Sequence, residues 1–334
     1  MKKIHHIGFL VLPQTQLLDI AGPTDVFTTA NQLMSTLPIL IDMEYKVHLI
    51  SSTSNKNITT SSGLTLLCNY SITDLDITLD TLLITGSQAD ITNTYDPAVL
   101  HWTKGIYPTL KRIGSICIGA FLLAKTGLLN NRAATTHWQY AALFKQQYPS
   151  VKLCYGQLYA KDCNIYTSGG ITSGIDLALA LVEEDFDRTL AAQVSRYLVV
   201  NLKRTHTQFL YANLVPSDIE LTPLVQQIKQ FVYDNIANIN LTNTDLAFAV
   251  NMSERNFARV FKKEAGMSPG QFYDCLRIEY AKRLLESTTF SIQEIAIQAG
   301  FATDNALRKT FQKLVEVSPT HYRASFQTTG IQNL

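Results

Sequence analysis

The sequence is poor in cysteine and has no long apolar run. Its 334 residues include five cysteines at irregular spacing, which match no metal-ligand motif, and their odd number does not suit a disulfide framework. No stretch approaches the roughly 18 uninterrupted apolar residues of a membrane span. We therefore expect a protein of a reducing compartment, most simply the cytoplasm, with no membrane partner, no metal site and no cofactor.

An excess of either charge is also absent. The chain has 28 Lys and Arg against 27 Asp and Glu, a formal net charge of +1, which excludes a polybasic or acidic tail as the main source of partner affinity. Any binding of nucleic acid must come from the placement of individual charges. The start MKKIHH is followed by an apolar run, from Ile7 to Leu12, that is too short for a signal peptide. We interpret this run as a first β-strand.

The first 200 residues alternate short apolar runs with amphipathic segments of helical length. Strands are predicted at residues 7–12, 46–51, 81–87 and 112–117, with a further strand pair within 151–170. Helices are predicted at residues 22–34, 97–110 and 171–186, the first two with a proline near the first turn. This alternation is typical of a doubly wound α/β sheet.

The periodicity is interrupted after residue 200. Polar residues, Pro216 and Pro223 follow one another there, as in a connecting segment. We therefore predict a first domain over residues 1–200, a linker over 201–220 and a helical second domain over 221–328.

The second domain contains an internal repeat. The segment that starts at Asp245 is repeated from Glu294, with one additional residue in the turn of the second copy. In each copy a first helix is predicted to end at a residue type that tolerates positive φ, Asn251 or Gly300, before a capping residue opens a second helix. This order is typical of a helix-turn-helix unit. A single unit would also suit an ordinary helical bundle, but a duplicated unit favours DNA binding.

The spacing of the two units suits B-DNA. A connecting helix is predicted from Pro269 to Glu286, and about 18 residues at 1.5 Å each span about 27 Å. Allowing for the width of each unit, the two second helices lie near one turn of DNA apart, roughly 34 Å. Two successive major grooves are then within reach of one chain.

The outward faces of the two second helices supply the candidate DNA contacts. These candidates are Arg255, Asn256, Arg259 and Lys262 in the first unit and Asp304, Asn305, Arg308 and Lys309 in the second. Arg can bind guanine and Asn adenine through two hydrogen bonds each, whereas Lys mostly attracts phosphate. Asp304 fits DNA least, because a carboxylate must accept from cytosine or be repelled.

The repeats resemble the AraC/XylS family of transcription regulators. The resemblance covers about residues 221–328 and rests on FKKEAGMSP after the first unit and AGF at the second turn. It implies a domain that binds double-stranded DNA and that is controlled by an effector or oligomerisation domain elsewhere in the chain.

The first domain resembles the DJ-1/PfpI (class I glutamine amidotransferase-like) superfamily. The motifs are DIAGPTDVF, TLLITGS and GSICIGAFLLAKTGLL, and the resemblance implies a flavodoxin-like fold. The whole chain is thus similar to the GlxA/FtrA-type members of the AraC/XylS family. A strand that ends at Ile116 and a helix from about Gly119 predict a nucleophile elbow at Cys117. A helix N-terminus beside the sulfur favours the thiolate, so we expect Cys117 to be alkylated faster than the other cysteines.

The resemblance nevertheless argues against catalysis. In hydrolytic relatives a His directly follows the nucleophile, whereas this chain has Ile118. The acidic partner, usually Glu in GPxE, is replaced by Asp25, which is one methylene shorter. His137 is the remaining candidate base. Because proton transfer lacks its usual groups, we interpret Cys117, Asp25 and His137 as vestigial and expect no enzyme.

A sensing role is the preferred hypothesis for this domain. Relatives of this architecture respond to small molecules such as amino acids or quaternary ammonium compounds, and Asp25 with the rings of Trp138 and Trp102 would suit a cation. The candidate ligand-binding residues are Asp25, Cys117, Ile118, His137 and Trp138.

The predicted function is a sequence-specific DNA-binding transcription regulator that forms a homodimer through its first domain and responds to a small metabolite. One alternative is a Cys117-dependent hydratase, hydrolase or glyoxalase fused to a DNA-binding domain. Another is a first domain that serves only as a dimerisation platform.

Overall fold

The computed structural model describes residues 3–36, 43–92, 94–202, 208, 214–215 and 221–326. The chain divides into two compact units, Met1–Gln208 and Phe209–Leu334. Most of the predicted linker, 201–220, lies outside the described residues. Its bounds therefore remain a prediction.

The first unit is built on a seven-stranded sheet. The strands of this unit are β1 (Lys3–Val11), β2 (Met43–Ser51), β3 (Asn57–Thr59), β4 (Thr65–Leu67), β5 (Tyr70–Ser71), β6 (Thr81–Ile84), β7 (Arg112–Ser115), β8 (Ala133–Ala134), β9 (Lys152–Leu153), β10 (Tyr159–Asp162) and β11 (Ile165–Ser168). The order in the main sheet is β10-β11-β7-β6-β1-β2-β5. All neighbours are parallel except β10 and β11. The pairs β3-β4 and β8-β9 form two small sheets.

Within the described residues, seven α-helices accompany this sheet. They are α1 (Leu18–Thr36), α2 (Gln88–Thr92), α3 (Pro97–Ile106), α4 (Ala120–Lys125), α5 (Ala141–Gln147), α6 (Ser173–Asp185) and α7 (Arg188–Tyr197). Helices α1, α6 and α7 pack against one another, and α4 packs against β6 and β7. The central strands β6 and β7 are buried along their whole length, as is typical of parallel strands that are covered on both faces. The predicted doubly wound α/β fold is confirmed.

Helix α1 begins earlier than predicted. The Leu17 carbonyl already accepts hydrogen bonds from the backbone N–H groups of Ile20 and Ala21, so the helix starts at Leu18 and Pro23 lies inside it. A proline there removes one intrahelical hydrogen bond, and packing has to compensate for that loss. Pro23 is buried, and a Cβ atom added to Gly174 of α6 would lie 3.1 Å from its ring.

The second unit is helical. Its helices are α8 (Pro223–Asp234), α9 (Asn243–Ala249), α10 (Glu254–Ala265), α11 (Pro269–Ser287), α12 (Ile292–Gln298), α13 (Asp304–Val315) and α14 (Pro319–Phe326). Two apolar clusters fill it, one around α9 and α10 and the other around α12 and α13. The two predicted helix-turn-helix units are therefore present, and α11 connects them.

The local geometry of the repeat is similar in both copies, although Thr303 caps α13 by accepting from the backbone N–H of Ala306, whereas the Ser253 side chain makes no such cap to α10. Helices α9 and α12 open with capping boxes, formed by Thr242 with Asp245 and by Ser291 with Glu294. The turns that follow place Asn251 at φ 54° and Gly300 at φ 71°, as the sequence predicted. None of the helices in the described part of the chain is both long and apolar enough to cross a bilayer.

Candidate functional site

Cys117 follows β7 in a tight turn. Its φ of 59° lies in the left-handed region, and one 3-10 turn over Cys117–Gly119 leads directly into α4. Glycine is required at position 119, because a Cβ atom there would lie 2.5 Å from the carbonyl oxygen of Ile84. The structure thus contains the strand-turn-helix geometry predicted for a nucleophile elbow.

A cavity of about 230 Å³ opens beside this elbow. The predicted ligand-binding residues Cys117, Ile118 and His137 line it together with Asp19. Asp25 does not, since the inward face of α1 carries Asp19, and Asp25 lies exposed on another face.

Neither tryptophan of the predicted cation site lines this cavity. Trp138 is half-buried, and its backbone N–H donates to the side chain of Gln208 at 2.9 Å. Trp102, on α3, packs against the core of the unit. The predicted pairing of Asp25 with these two rings is therefore not formed around the Cys117 cavity.

The acid in this cavity is Asp19, which sequence reasoning missed. Its side chain is fully buried, and Oδ2 accepts from the backbone N–H of Gly86 at 3.3 Å. The other oxygen, Oδ1, has no hydrogen-bond partner in the described structure. Burial raises the pKa of Asp19 to about 7. The signal was available, because Asp19 is the first residue of the DIAGPTDVF motif.

A second buried carboxyl group lies near the cavity. Asp90 accepts hydrogen bonds from the backbone N–H of Ser87 and from the hydroxyl of Tyr95. Burial raises the pKa of Asp90 to about 8. Ser87 itself lines the cavity, so two acids with elevated pKa values stand close to the elbow.

These surroundings oppose the predicted thiolate. Burial and the negative charge of Asp19 both raise the pKa of the Cys117 thiol well above its ordinary value. Helix α4 has only six residues, so its dipole offers little compensation. The expectation that Cys117 is the most reactive cysteine is corrected accordingly.

His137 has a defined orientation in the wall of the cavity. It caps a 3-10 turn, and its Nδ1 accepts from the backbone N–H of Gln139 at 3.3 Å. Burial lowers the pKa of His137, which favours the neutral ring with the proton on Nε2. Nδ1 is thus already engaged, which limits its use as a general base.

Gln208 supports the wall behind His137. Its Nε2 donates to the carbonyl oxygens of Gln157 at 2.6 Å and Thr136 at 3.2 Å, and its Oε1 accepts from Trp138. Glycine at position 169 leaves the necessary room, because a Cβ atom there would lie 1.7 Å from Nε2. This role could not be predicted from the sequence, since Gln208 lies in the predicted linker.

The second unit presents two polar helix faces. In α10 the rings of Phe257 and Phe261 are buried, and in α13 Leu307 and Phe311 are buried. The opposite faces expose the predicted contacts Arg255, Asn256, Arg259, Lys262, Asn305, Arg308 and Lys309.

Two side-chain pairs order these faces. Arg259 donates to the side-chain oxygen of Asn256 at 3.0 Å. Asp304 is half-buried and lies 3.4 Å from Nε of Arg308. Asp304 is thus placed to orient an arginine. The contacts with DNA themselves remain a prediction.

Comparison with known proteins identifies both units. The model of the DJ-1/PfpI family matches residues 5–184, which is more than half of the chain. The chain belongs to the DJ-1/PfpI family. A helix-turn-helix domain model matches residues 246–325, so this family member carries an AraC-type domain after its α/β unit.

Curated relatives match different shares of the chain. The HTH-type transcriptional regulator GbdR of Pseudomonas aeruginosa is 26% identical over 324 residues, covering 95% of this chain and 83% of that protein. The isonitrile hydratase of Pseudomonas putida is 32% identical over 179 residues, covering 53% of this chain and 71% of that protein. The crystal structure of a THiJ/PfpI family protein from Pseudomonas syringae has a TM-score of 0.51 at 21% identity, covers 61% of this chain and 78% of that one, and supports the fold.

We expect Asp19→Asn to accelerate alkylation of Cys117 in this DJ-1/PfpI family member. At pH 8 the Asp19 carboxyl, with its pKa of about 7, is mostly ionised and opposes the thiolate. Asparagine removes that charge, so the pKa of Cys117 falls and the rate rises about three- to tenfold, since one pKa unit is a tenfold change in thiolate. Below about pH 6 Asp19 is protonated in the parent, so the acceleration fades.

Mass spectrometry of iodoacetamide-treated peptides measures each cysteine separately. In the parent protein the exposed Cys163 should react before the buried Cys117. Asp25→Asn is the matched control and should leave the Cys117 rate unchanged, because Asp25 lies outside the cavity. A slower Cys117 in Asp19→Asn would show that the Asp19 carboxyl assists the thiolate instead of opposing it.

Proposed function

We propose that this protein is a sequence-specific DNA-binding transcription regulator whose DJ-1/PfpI unit binds a small effector without turning it over. The observation that carries the proposal is the pair of helix-turn-helix units, each with an apolar face buried and a polar face exposed. Similarity to proteins named HTH-type transcriptional regulators supports it.

The two units suit successive major grooves of double-stranded DNA. The connecting helix α11 has 19 residues and is about 28 Å long at 1.5 Å per residue, close to the roughly 34 Å turn of B-DNA. Arg255, Asn256 and Arg259 would read bases in one groove, and Asn305 and Arg308 in the next. Lys262 and Lys309 would attract phosphates, while Asp304 would hold Arg308 in place.

The Cys117 cavity favours a small effector with an N–H donor. Its volume of about 230 Å³ is below the roughly 300–1,000 Å³ typical of pockets for drug-sized ligands. Oδ1 of Asp19 is buried without a partner, and an ammonium group would satisfy it and hold it ionised. A quaternary ammonium compound has no N–H to donate. Of the two ligand classes predicted, we therefore propose an amino acid or a similar amine.

The alternative function is a Cys117-dependent enzyme fused to a DNA-binding domain. The observation in its favour is Asp19, an acid with a pKa near 7 in the same cavity as Cys117, together with similarity to an isonitrile hydratase. Against it, the thiol pKa is raised and Nδ1 of His137 is engaged. We propose binding without turnover.

DNA footprinting tests the proposed function after the sites have been mapped across the genome. One chain that reads two successive grooves protects about 20 base pairs, at about 10 per turn, and the homodimer that we propose protects about 40. Cys117→Ser should give the same footprint as the parent, because Cys117 lies outside the DNA-binding unit. The absence of any protected site would reject the regulator. Steady turnover of a small substrate that is lost in Cys117→Ser would establish the enzyme.

A further inference from the structure

A second cavity lies within the helical unit, between its two helix-turn-helix halves. Its volume is about 430 Å³, nearly twice that of the cavity beside Cys117. The end of the first half contributes Met267, helix α11 contributes Cys275, and helix α13 contributes Lys309, Lys313 and Leu314. Its size is within the range of pockets that hold small organic ligands. Neither the proposed effector site nor the proposed reading of bases accounts for it.

Three apolar side chains line part of this cavity. Met267 and Leu314 are half-buried, and the Cys275 side chain is buried. Burial raises the pKa of Cys275 to about 11, so the thiol is neutral and behaves as a small hydrophobic group. These three side chains offer an apolar body a surface to pack against.

Two lysines stand at the rim. Lys309 and Lys313 lie one helical turn apart on α13, and both are exposed. Within the described parts of the chain neither lysine has an ion pair or a hydrogen bond. Asp274 also lines the cavity, but its carboxylate is paired with Arg277. The rim therefore carries uncompensated positive charge above an apolar base.

The first helix-turn-helix unit lacks the combination of exposed lysine and apolar neighbour that lines the cavity in the second unit. The repeat matches Lys313 with Lys263 and Leu314 with Glu264. Glu264 is exposed, and its carboxylate accepts a hydrogen bond from the hydroxyl of Thr222. Where the second unit offers an apolar side chain to the cavity, the first unit thus has an acid, which would repel an anion. The pairing of lysine with an apolar neighbour is specific to the second unit.

We infer that this cavity binds an amphipathic organic anion, a carboxylate or sulfonate on an apolar body. The headgroup pairs with Lys309 and Lys313, and the body packs on Met267, Cys275 and Leu314. Lys309 also belongs to the proposed DNA-binding face, so the bound anion competes with DNA for this lysine. This competition rests on the proposed function, whereas the binding of the anion does not.

Fluorescence titration of the full chain with 8-anilinonaphthalene-1-sulfonate tests the binding. We expect saturable binding that decanoate displaces and decanol displaces poorly, since only the acid carries a charge for the lysines. Lys313→Gln should weaken binding about two- to fivefold, the range of a partly exposed ion pair. Thr310→Trp, which fills the cavity, should abolish it.

Lys263→Gln is the matched control, since it removes the same charge from the equivalent position of the first unit. It should leave the affinity for the probe unchanged. Thermal melts of all variants confirm that they are folded. Equal effects of Lys263→Gln and Lys313→Gln, or binding that persists in folded Thr310→Trp, would overturn the inference.

The competition is measured separately with a DNA fragment from a mapped site. Decanoate should raise the apparent Kd for DNA in the parent and less so in Lys313→Gln. An unchanged Kd in the parent would overturn the competition. A protein that binds the probe as expected but no DNA would reject the proposed function and leave the anion site standing.

Discussion

Replacement of Arg259 by alanine is expected to weaken specific DNA binding by about 1–3 kcal/mol, which is roughly 5- to 150-fold. Arg259 is exposed on α10, and its guanidinium is held by the side chain of Asn256. A pre-ordered arginine loses less side-chain entropy when it forms two hydrogen bonds to guanine. The loss should be largest on the mapped site and small on a fragment with a changed base at the contacted position.

Lys309→Ala is the comparison variant for Arg259→Ala, because it removes a proposed phosphate contact instead of a proposed base contact. Lys309 is exposed near the middle of α13, where we propose a phosphate contact. Loss of the Lys309 side chain should weaken the binding of all DNA sequences similarly. It should also reduce the slope of log affinity against log salt concentration by about 1. Electrophoretic or anisotropy titrations at several salt concentrations measure both effects. Unchanged affinities in both variants, with folding intact, would reject this recognition surface.

The helical unit could be predicted from the sequence because its signals are local. Asn251 and Gly300 adopt positive φ in both copies, and Ser268 caps the helix that starts at Pro269. Each of these positions is determined by its own backbone and its nearest neighbours. The need for glycine at position 300 has a second cause that is not local, because a Cβ atom there would lie 2.2 Å from the carbonyl oxygen of Ile236, which follows α8.

The cavity of the first unit could be predicted only in part. The elbow at Cys117 follows from a strand, a turn and a helix in sequence order, and it is present. The acid beside it depends on where α1 begins. Because the helix starts at Leu18, before Pro23, it is Asp19 and not Asp25 that faces the sulfur's cavity. The position of α1 in the sequence thus determines which carboxylate lines the cavity beside Cys117.

Gln208 could not be predicted because its partners are distant in sequence and mostly backbone atoms. Its backbone N–H donates to the carbonyl oxygen of Gly156 at 2.6 Å. Its side chain bonds to backbone groups of Thr136, Trp138 and Gln157. Gln208 is the last residue of the first unit. Gln208 thus ties the end of the first unit to the backbone on both sides of His137, which lines the cavity.

We expect Gln208→Ala to uncouple the effector from DNA binding. An effector in the cavity would contact His137, and a movement of that residue would reach Gln208 through the backbone of Thr136 and Trp138. Gln208→Ala should still bind the effector and should still bind DNA. Addition of effector, however, should no longer change its affinity for DNA. The probes are single amino acids, chosen by their thermal stabilisation of the parent protein.

Gln208→Ala should also change hydrogen exchange in the absence of any effector. Alanine leaves the Trp138 N–H and the carbonyl oxygen of Thr136 without their partner, and each buried orphan costs about 1–3 kcal/mol, whereas the carbonyl oxygen of Gln157 keeps the hydroxyl of Thr135 as a donor. Hydrogen exchange at Trp138 should therefore accelerate by at least about tenfold. Gln32→Ala removes an exposed glutamine of the same unit and should alter neither property. A Gln208→Ala protein that exchanges faster at Trp138 yet keeps the full effector response would show that the signal leaves the pocket by another route.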